Sequence, residues 1–462
     1  MMRDKLRTES TILLRLAGPL IIAQVSQVGM GFTDTVMAGR LSPLDLAAVA
    51  LGSMLVLTVY LVFFGILNSL SPTIAQLKGA GKERDIGRLF RQGLWLALGL
   101  AVISVPATIY SALLMHWAGT VPDVAELANG YLFAVAWGMP ATCLFFVARF
   151  LTEATGYTRP VMYINVFGLV LNALANYAFM YGKLGAPALG AVGCGVATAI
   201  VMWVDLVLLM LYLAIHNRYR EYRLFSDWRA PELTTIVALV RLGTPIALGI
   251  MTEVLLFLAI GLLMSTLSTV AMAAHQIAIN FASLSFMVPL SIGMAILIRV
   301  GHLIGAGDTL RAEFASYVGV SMAGTFMAGM AIVILLLPEA IVSLYTDAGP
   351  VTTIALELLF FAAVFQVSDG LNIALLHALR GLKDAFVPML LGLVAYWLVG
   401  FSAAWYIGIH SGVGPGGLWM GLIIGLTVSC ALAFLRLRAV FSRHKRAAVV
   451  VPAASGTLRT PP

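Results

Sequence analysis

Two acidic residues stand within long apolar segments in the second half of the chain. Glu253 follows Arg241, and Asp369 precedes Arg380, each by about three helical turns. At about 1.5 Å of helix rise per residue, both carboxyl groups lie roughly 16–18 Å from those basic residues. Ionisable side chains at such a depth in a bilayer are costly and mark functional sites. A carboxylate pair there can hold a proton, a sodium ion or an organic cation, one excluding the others, which is the physical basis of antiport.

A third acid, Asp34, lies in the first apolar segment, beyond Arg15 and about 28 Å from it along a helix. We predict an acidic site of the N-terminal half there, although a carboxylate so near the opposite surface could also extend into water. Asp205 precedes Arg218 by between three and four helical turns, at a depth similar to that of the first pair. Because Asp205 is a lone acid among apolar neighbours, helix association is favoured over ligand binding as its role.

Uncharged polar side chains recur at helical spacing beside these acids. Asn176 follows Asn172 by one turn, and Asn372 follows Asp369 by a similar step, on the same helix face. Hydrogen bonds between helices would explain one such stripe, but several stripes beside acids indicate a water-filled cavity. The residues predicted to line a substrate cavity are Gln27, Asn172, Asn176, Gln276, Asn280, Phe286, Phe365 and Asn372.

Twelve predicted membrane spans must position these residues. The chain is 61% hydrophobic and 11% charged, whereas soluble domains are roughly 25% charged. A membrane helix needs about 20 mostly apolar residues. The expected spans lie near 12–37, 46–70, 92–114, 130–150, 161–181, 189–215, 237–264, 270–297, 316–337, 352–377, 386–409 and 416–440.

Basic residues fall almost entirely on one side of these spans. Of the 28 Lys and Arg residues, 26 lie in the termini and in every second connection, and only Arg40 and Lys183 lie on the other side. Positive charge collects in cytoplasmic loops, so we expect a multi-pass protein of the bacterial inner (cytoplasmic) membrane with both termini in the cytoplasm. The net charge of +7 then reflects topology and contact with membrane lipids, and no nucleic-acid partner is expected.

The chain repeats itself at a constant offset of 226, so that Arg15-Leu-Ala-Gly-Pro returns as Arg241-Leu-Gly-Thr-Pro. Each half holds six spans, so both halves start on the same side and the repeat is parallel. The predicted fold class is an all-α membrane protein with twelve transmembrane helices in two six-helix bundles related by a parallel pseudo-two-fold repeat. The expected domains are an N-terminal bundle (1–215), a cytoplasmic linker (216–236), a C-terminal bundle (237–446) and a disordered tail (447–462).

Several classes of chemistry are disfavoured by the motifs. Gly79-Ala-Gly81-Lys82-Glu83 lacks the earlier glycine and the Ser or Thr of a phosphate-binding loop. Neither HExxH nor GxSxG occurs. The three cysteines lie in apolar runs without metal-ligand spacing, so we expect them to pack as small apolar residues. We therefore expect no enzyme, and no cofactor apart from a coupling ion, either H⁺ or Na⁺.

The first span also carries a recognisable motif. Gly31-Phe-Thr-Asp34-Thr-Val-Met-Ala-Gly39-Arg40, followed by Leu46-Ala-Ala-Val-Ala50, resembles the first-helix signature of the multidrug and toxic compound extrusion (MATE) transporters, specifically the NorM-like branch. Ala274-His-Gln276 and Asp369-Gly370 extend the resemblance into the second half, as does Pro245 with Glu253. The resemblance covers the chain apart from the tail.

This resemblance implies two bundles that open alternately to the two sides of the membrane. It implies export of amphipathic, often cationic drugs and dyes in exchange for sodium or protons. The family's C-lobe cation site, which binds sodium in some members, matches Glu253 and Asp369, and its first-helix aspartate matches Asp34. An acid that contacts drugs in some relatives matches Asp347. Some relatives carry tyrosine where this chain has Phe365, so the choice between sodium and protons stays open.

The expected function is therefore a secondary multidrug antiporter that works as a monomer. One alternative is a flippase for lipid-linked saccharides, which would need basic groups in its cleft to meet pyrophosphate; the sequence indicates acids at mid-depth and no Lys or Arg within the membrane. A passive channel is a second alternative. An intramembrane enzyme is a third, and it lacks any constellation of nucleophile and base.

Overall fold

The computed structural model describes residues 2–117, 119–226, 229–346 and 348–454 of the chain. All regular elements of these residues are helical. Long apolar stretches without glycine or proline clusters explain the helix lengths, and short Gly- or Pro-containing connections end them. The first half contains α1 (Met2–Leu41), α2 (Pro43–Leu67), α3 (Leu70–Gly79), α4 (Glu83–Tyr110), α5 (Leu113–Trp117), α6 (Pro122–Ala136), α7 (Met139–Ala154), α8 (Arg159–Tyr181) and α9 (Ala191–Ile215), followed by a 3₁₀ helix (Asn217–Tyr222).

The second half follows the same order of long helices. One of its spans, predicted near 386–409 and found at Phe386–His410, changes between α-helical and π-helical geometry along its length. The elements are α10 (Leu233–Leu267), α11 (Thr269–Gly305), α12 (Thr309–Leu336), α13 (Pro338–Ser343), α14 (Gly349–Gly381), α15 (Phe386–Leu393), a π-helical segment (Val394–Phe401), α16 (Ser402–Ala404), a second π-helical segment (Trp405–His410) and α17 (Pro415–Ala454).

Eleven helices of the described residues are long and apolar enough to cross a membrane, and a bent pair brings the number to as many as twelve. The pair is α6 and α7, which meet at 47°. The sequence predicts one uninterrupted span near 130–150, and that prediction is wrong in detail. The break falls beside Gly138 because Pro140, within the first turn of α7, cannot donate the hydrogen bond that would continue α6.

The chain forms two compact units. One contains Leu16–Met251, called here the N-unit, and the other contains the residues up to Arg15 together with those from Thr252, called here the C-unit. Helices α1 and α10 therefore each contribute to both units. The predicted domain boundary at the linker differs from this division, because the start of α1 packs with the second half of the chain. The all-helical fold class is confirmed.

The linker between the two halves folds back onto α4 in the N-unit. Arg91 donates to the carbonyl of Arg223 at 2.6 Å, and Trp95 donates to the carbonyl of Arg229 at 3.1 Å. The side-chain oxygen of Gln92 accepts from the backbone of Glu232 at 2.7 Å. These contacts place the linker beside polar side chains of α4. The spacing of those side chains in the sequence does not indicate which segment they contact.

Close helix packing in the C-unit depends on small residues. A Cβ at Gly421 in α17 would lie 2.3 Å from the backbone of Ala404, and one at Gly400 would lie 3.0 Å from Gly425. Glycine therefore lets the two backbones approach directly, as in many membrane helix pairs. Helix α17 then continues to Ala454, so the predicted disordered tail begins too early. Ala447 and Ala448 favour helix continuation, and residues 455–462 lie outside the described part of the chain.

Candidate functional site

Glu253 and Asp369 face one cavity of the C-unit, as the sequence predicts. The cavity has a volume of about 230 Å³. Glu253 comes from α10 and is partly buried, whereas Asp369 comes from α14 and is only 6% exposed. Oδ1 of Asp369 has no hydrogen-bond partner among the described residues. Two carboxylates around one small space repel each other when both are ionised, so a proton or cation between them is favourable.

Aromatic side chains form the apolar walls of this cavity. Phe286 and Phe365, both predicted from the sequence, line it together with Phe257. Phe365 meets Phe257 edge to face, with ring centroids 5.7 Å apart, and meets Trp419 at the same separation. Such edge-to-face contacts fix ring orientation. Apolar walls lower the local dielectric constant and so strengthen the electrostatic interaction between a bound cation and the acids.

Hydrogen bonds hold the helices around Asp369 in place. Ser285 of α11 donates to the side-chain oxygen of Gln366, one turn before Asp369. Asn372, one turn after it, donates to the hydroxyl of Tyr396 at 2.8 Å and accepts from Ser429 at 3.1 Å. The predicted cavity residue Asn372 is therefore buried behind the cavity and does not line it. Its contacts fix α14 relative to the π-helical segment and α17.

Asp34 lies in a second cavity, in the N-unit, with a volume of about 240 Å³. Its Oδ1 accepts from Asn176 at 2.6 Å and from Asn172 at 3.1 Å, both on α8. Asp34 is 8% exposed, so it is enclosed by protein and does not extend into water. The sequence predicts all three residues, and the helical spacing of the two asparagines explains why both reach the same carboxylate.

Gln27 lies beside the same N-unit cavity and donates to the hydroxyl of Tyr60 at 2.8 Å. The ring of Tyr60 packs edge to face on Phe146, with centroids 5.0 Å apart. The predicted cavity residues thus divide between two cavities: Gln27 and Asn172 line the N-unit cavity, with Asn176 bonded to Asp34 beside it, and Phe286 and Phe365 line the C-unit cavity.

Sequence reasoning missed a buried ion pair in the N-unit. Arg149 lines the cavity and donates from Nε to Glu153 at 2.7 Å and from Nη2 to Gln24 at 3.0 Å. The two charged residues are 2% and 1% exposed. The expectation of no basic residue within the cleft is therefore wrong at this position. The i,i+4 spacing of opposite charges at the end of an apolar run was the signal available in the sequence.

Two other predicted residues lie outside the lining of these cavities. Gln276 and Asn280 are exposed on α11 and lie outside the lining of the C-unit cavity, whereas Ser283, one turn after Asn280 on the same helix, lines it. Helix α11 is 37 residues long, so side chains on one of its faces meet different neighbours at different points along the helix. Asp347 lies outside the described residues.

The two halves of the chain separately match one family of membrane proteins. The MatE profile matches residues 19–178 and again residues 245–406. The second match starts 226 positions after the first, which is the offset of the repeat seen in the sequence. Eleven or twelve apolar spans among the described residues, an internal parallel repeat and an acidic cavity in each half define a polytopic transporter, and the chain belongs to the MatE family.

Full-length relatives in bacteria carry multidrug-resistance names. The chain is 40% identical over 435 residues to the multidrug resistance protein NorM of Vibrio vulnificus (strain YJ016), covering 93% of this chain and 95% of that protein. It is 41% identical over 436 residues to the multidrug resistance protein MdtK of Edwardsiella ictaluri (strain 93-146), covering 93% and 95%. These two identities place the chain in the NorM-like branch.

Solved MATE structures share the fold at much lower sequence identity. A MATE transporter in the bent conformation superposes with a TM-score of 0.88 at 20% identity, covering 96% of this chain and 98% of that one. The eukaryotic MATE transporter AtDTX14 gives a TM-score of 0.87 at 19% identity, covering 96% and 100%. The helix arrangement is therefore retained although most residues differ, as expected when the pattern of apolar residues determines the fold.

Proposed function

We propose that this protein is a secondary multidrug efflux antiporter of the bacterial inner membrane, with both termini in the cytoplasm. It exports amphipathic, often cationic drugs and dyes in exchange for protons or sodium ions, acts as a monomer among membrane lipids, and contributes to antibiotic resistance. It performs no enzymatic reaction and uses no nucleic-acid partner. The observation that carries the proposal is the cavity shared by Glu253 and Asp369.

The size and charge of this cavity favour the coupling ion as its ligand. At about 230 Å³ it is smaller than the roughly 300–1,000 Å³ typical of sites for drug-sized ligands. An ion with one or two water molecules fits that space. Binding of a cation neutralises the carboxylates and so weakens the attraction that the C-unit exerts on a cationic substrate. Entry of the ion and release of the substrate are coupled through this competition for negative charge.

The first prediction tests this coupling. Glu253→Gln and Asp369→Asn each retain volume and polarity but remove the charge that holds the ion. We expect gradient-driven export of a fluorescent organic cation to fall at least tenfold in purified protein reconstituted into liposomes. A pH gradient and a sodium gradient are imposed separately, and the gradient that drives export by the wild-type protein identifies the coupling ion.

A matched control uses an acid elsewhere in the C-unit. Glu339 is exposed at the start of α13, and Glu339→Gln should export at the wild-type rate. Circular dichroism and size-exclusion profiles must match for all variants. Wild-type export rates in the Glu253 and Asp369 variants would remove the basis of the proposal.

A further inference from the structure

A second buried carboxylate faces the N-unit cavity and has no role in the exchange described above. Asp205 of α9 is 7% exposed and lines the cavity that Asp34 also lines. Its Oδ1 is fully enclosed and has no hydrogen-bond partner among the described residues. A role in helix association would require a bond from a neighbouring helix to this oxygen, and none is present among those residues. The sequence-based preference for helix association at Asp205 is therefore not supported by its contacts.

The neighbouring helix makes room for this carboxyl group. A Cβ at Gly168 of α8 would lie 3.0 Å from Oδ1 of Asp205 and 3.1 Å from its Oδ2. Such distances are tighter than ordinary packing, so only glycine lets both oxygens lie flat against α8. Gly168 thereby fixes the carboxyl group beside the cavity, where a side chain at position 168 would displace it.

An unpartnered donor lies on the same helix as this glycine. Asn165 lies one turn before Gly168 on α8, is 4% exposed, and lines the cavity. Its Nδ2 has no acceptor among the described residues. A ligand that satisfies both side chains must carry positive charge or a donor for Asp205 and an acceptor for Asn165. A small cation with a bound water molecule has both properties. The water oxygen accepts a hydrogen bond from Asn165, and the cation, a sodium ion or a proton, binds the carboxylate of Asp205.

The charges around the cavity leave Asp205 without a counter-ion. The charged residues that line it are Asp34, Arg149 and Asp205, and Arg149 is paired with Glu153. Asp34 is hydrogen-bonded by uncharged groups, among them the two asparagine amides. Buried charges are usually paired, so the two aspartates together call for two positive charges, which protons, alkali ions or a mixture can supply.

The two aspartates are joined by a polar strip along α8. Asn172 contacts Asp34, and Asn165, two helical turns earlier, lies near the Asp205 end of the cavity. Two turns correspond to about 10 Å along the helix. Asn172, Asn165 and both aspartates thus line one cavity.

We propose that Asp205, with Asn165, forms a second monovalent-cation site of the N-unit, which receives a proton or a sodium ion together with water. The site rests on the proposed antiport function, and Asp34 is the other acid that lines the same cavity. Its consequence is that the N-unit holds two monovalent cations when both aspartates are occupied.

The test counts bound cations in protein whose C-unit site has been removed. In the Glu253→Gln/Asp369→Asn background, bound ²²Na⁺ is measured by equilibrium dialysis. Protonated carboxylic acids are measured by infrared difference spectroscopy on acidification. We expect Asp205→Asn to lose one bound cation per protein in whichever of the two measurements detects cation binding. We expect the same loss in Asp34→Asn. Asp205→Glu should keep the count, and Gly168→Ala should weaken binding several-fold because it displaces the carboxyl group.

The outcomes separate this site from a structural role and from failure of the antiport proposal. An unchanged cation count in Asp205→Asn, with Asp34→Asn losing one cation, overturns the second site. A background that binds no cation in either arm overturns it as well. Asp205→Asn retains hydrogen-bonding groups and volume, so a purely packing role predicts no change in bound ²²Na⁺. In the infrared measurement, an Asp205 that shows no protonation change between neutral and acidic pH overturns the site for protons. Wild-type protein that exchanges no organic cation in either gradient contradicts the antiport proposal instead, whatever the binding counts are.

Discussion

At the scale of single residues, both units contain buried acids, and the partners of these acids differ. In the C-unit, Glu253 and Asp369 share a cavity whose lining contains no basic residue, although Glu253 interacts electrostatically with the buried Arg380 of α14. In the N-unit, Arg149 and Glu153 neutralise each other, one helical turn apart, next to the acidic cavity. Because Arg149 and Glu153 supply each other's counter-charge, neither needs a bound ion.

The Arg149–Glu153 pair should therefore affect stability more than ion binding. Arg149→Met leaves a nearly inaccessible Glu153 without its counter-charge, and we expect a loss of about 3–5 kcal/mol in the free energy of unfolding. Arg149→Met combined with Glu153→Leu should recover most of that loss, because apolar side chains of similar volume replace both charges. Thermal unfolding in detergent or lipid measures both changes. A double variant as unstable as the single one would contradict this explanation.

At the scale of elements, the linker between the two halves packs on several neighbours, among them Lys78 of α3, which lies over the ring of Tyr222. Helix α4 adds a bidentate ion pair, in which Nη2 of Arg88 donates to Oε2 of Glu232 at 2.6 Å and Nε donates to Oε1 at 3.0 Å. Hydrogen bonds from Arg88 lower the pKa of Glu232 below its ordinary value. The predicted linker is thus a docked segment of the N-unit, and its docking should depend on pH.

The sign of that dependence follows from the lowered pKa. The ion pair stabilises the docked linker fully above the pKa of a free glutamate, about 4.3, and this contribution is lost as the pH falls through the lower pKa of the docked state. We expect a spin label at exposed position 226 to become more mobile on acidification below about pH 4. In Glu232→Gln the label should already be more mobile at neutral pH.

A matched control lies in the same segment. Glu221 is exposed in the 3₁₀ helix, and Glu221→Gln should leave the pH response of the label unchanged. If the mobility of the label responds to pH equally in the wild-type and Glu232→Gln proteins, the docking depends instead on the hydrogen bonds between α4 side chains and the linker backbone.

At the scale of the whole molecule, the start of α1 belongs to the C-unit. Glu9, which is 1% exposed, accepts from Arg299 at 2.8 Å and from Arg311 at 2.5 Å. Leu13 adds apolar contact, since a Cβ at Gly319 would lie 3.3 Å from its side chain. The first turns of the chain are thereby fixed to the unit formed by its second half, although the rest of α1 supplies Asp34 to the N-unit.

This attachment gives a prediction for the N-terminal segment. Glu9→Gln removes the shared acceptor of two arginines, and hydrogen bonds to charged groups contribute about 1.5–3 kcal/mol. We expect the free energy of unfolding of the protein to fall by roughly that amount. Amide hydrogen exchange in residues 2–15 should also become faster. Glu339→Gln, an exposed acid of the same unit, serves as the control, and unchanged exchange in Glu9→Gln would contradict the role assigned to this cluster.

Much of the C-unit site was predictable because depth in a membrane helix follows from counting residues. The spacing of Glu253 from Arg241 and of Asp369 from Arg380 placed both carboxylates at one level, and the structure brings them to one cavity. The asparagine stripe on α8 likewise indicated the partners of Asp34. Helical spacing does not, however, indicate which neighbour a face meets, and exposed Gln276 lies outside the lining of the C-unit cavity.

The sequence by itself determined the number of apolar spans, the parallel repeat and the family, because long apolar runs and a fixed offset are properties of the chain alone. Only the tertiary structure decided that Arg149 is paired inside the N-unit, that Gly168 makes room for Asp205, and that α6 and α7 meet at a bend. Lipid and protein interior are both apolar, so hydropathy cannot distinguish them. The function of a buried charge depends on which helix lies opposite it, and that is fixed only when the helices pack.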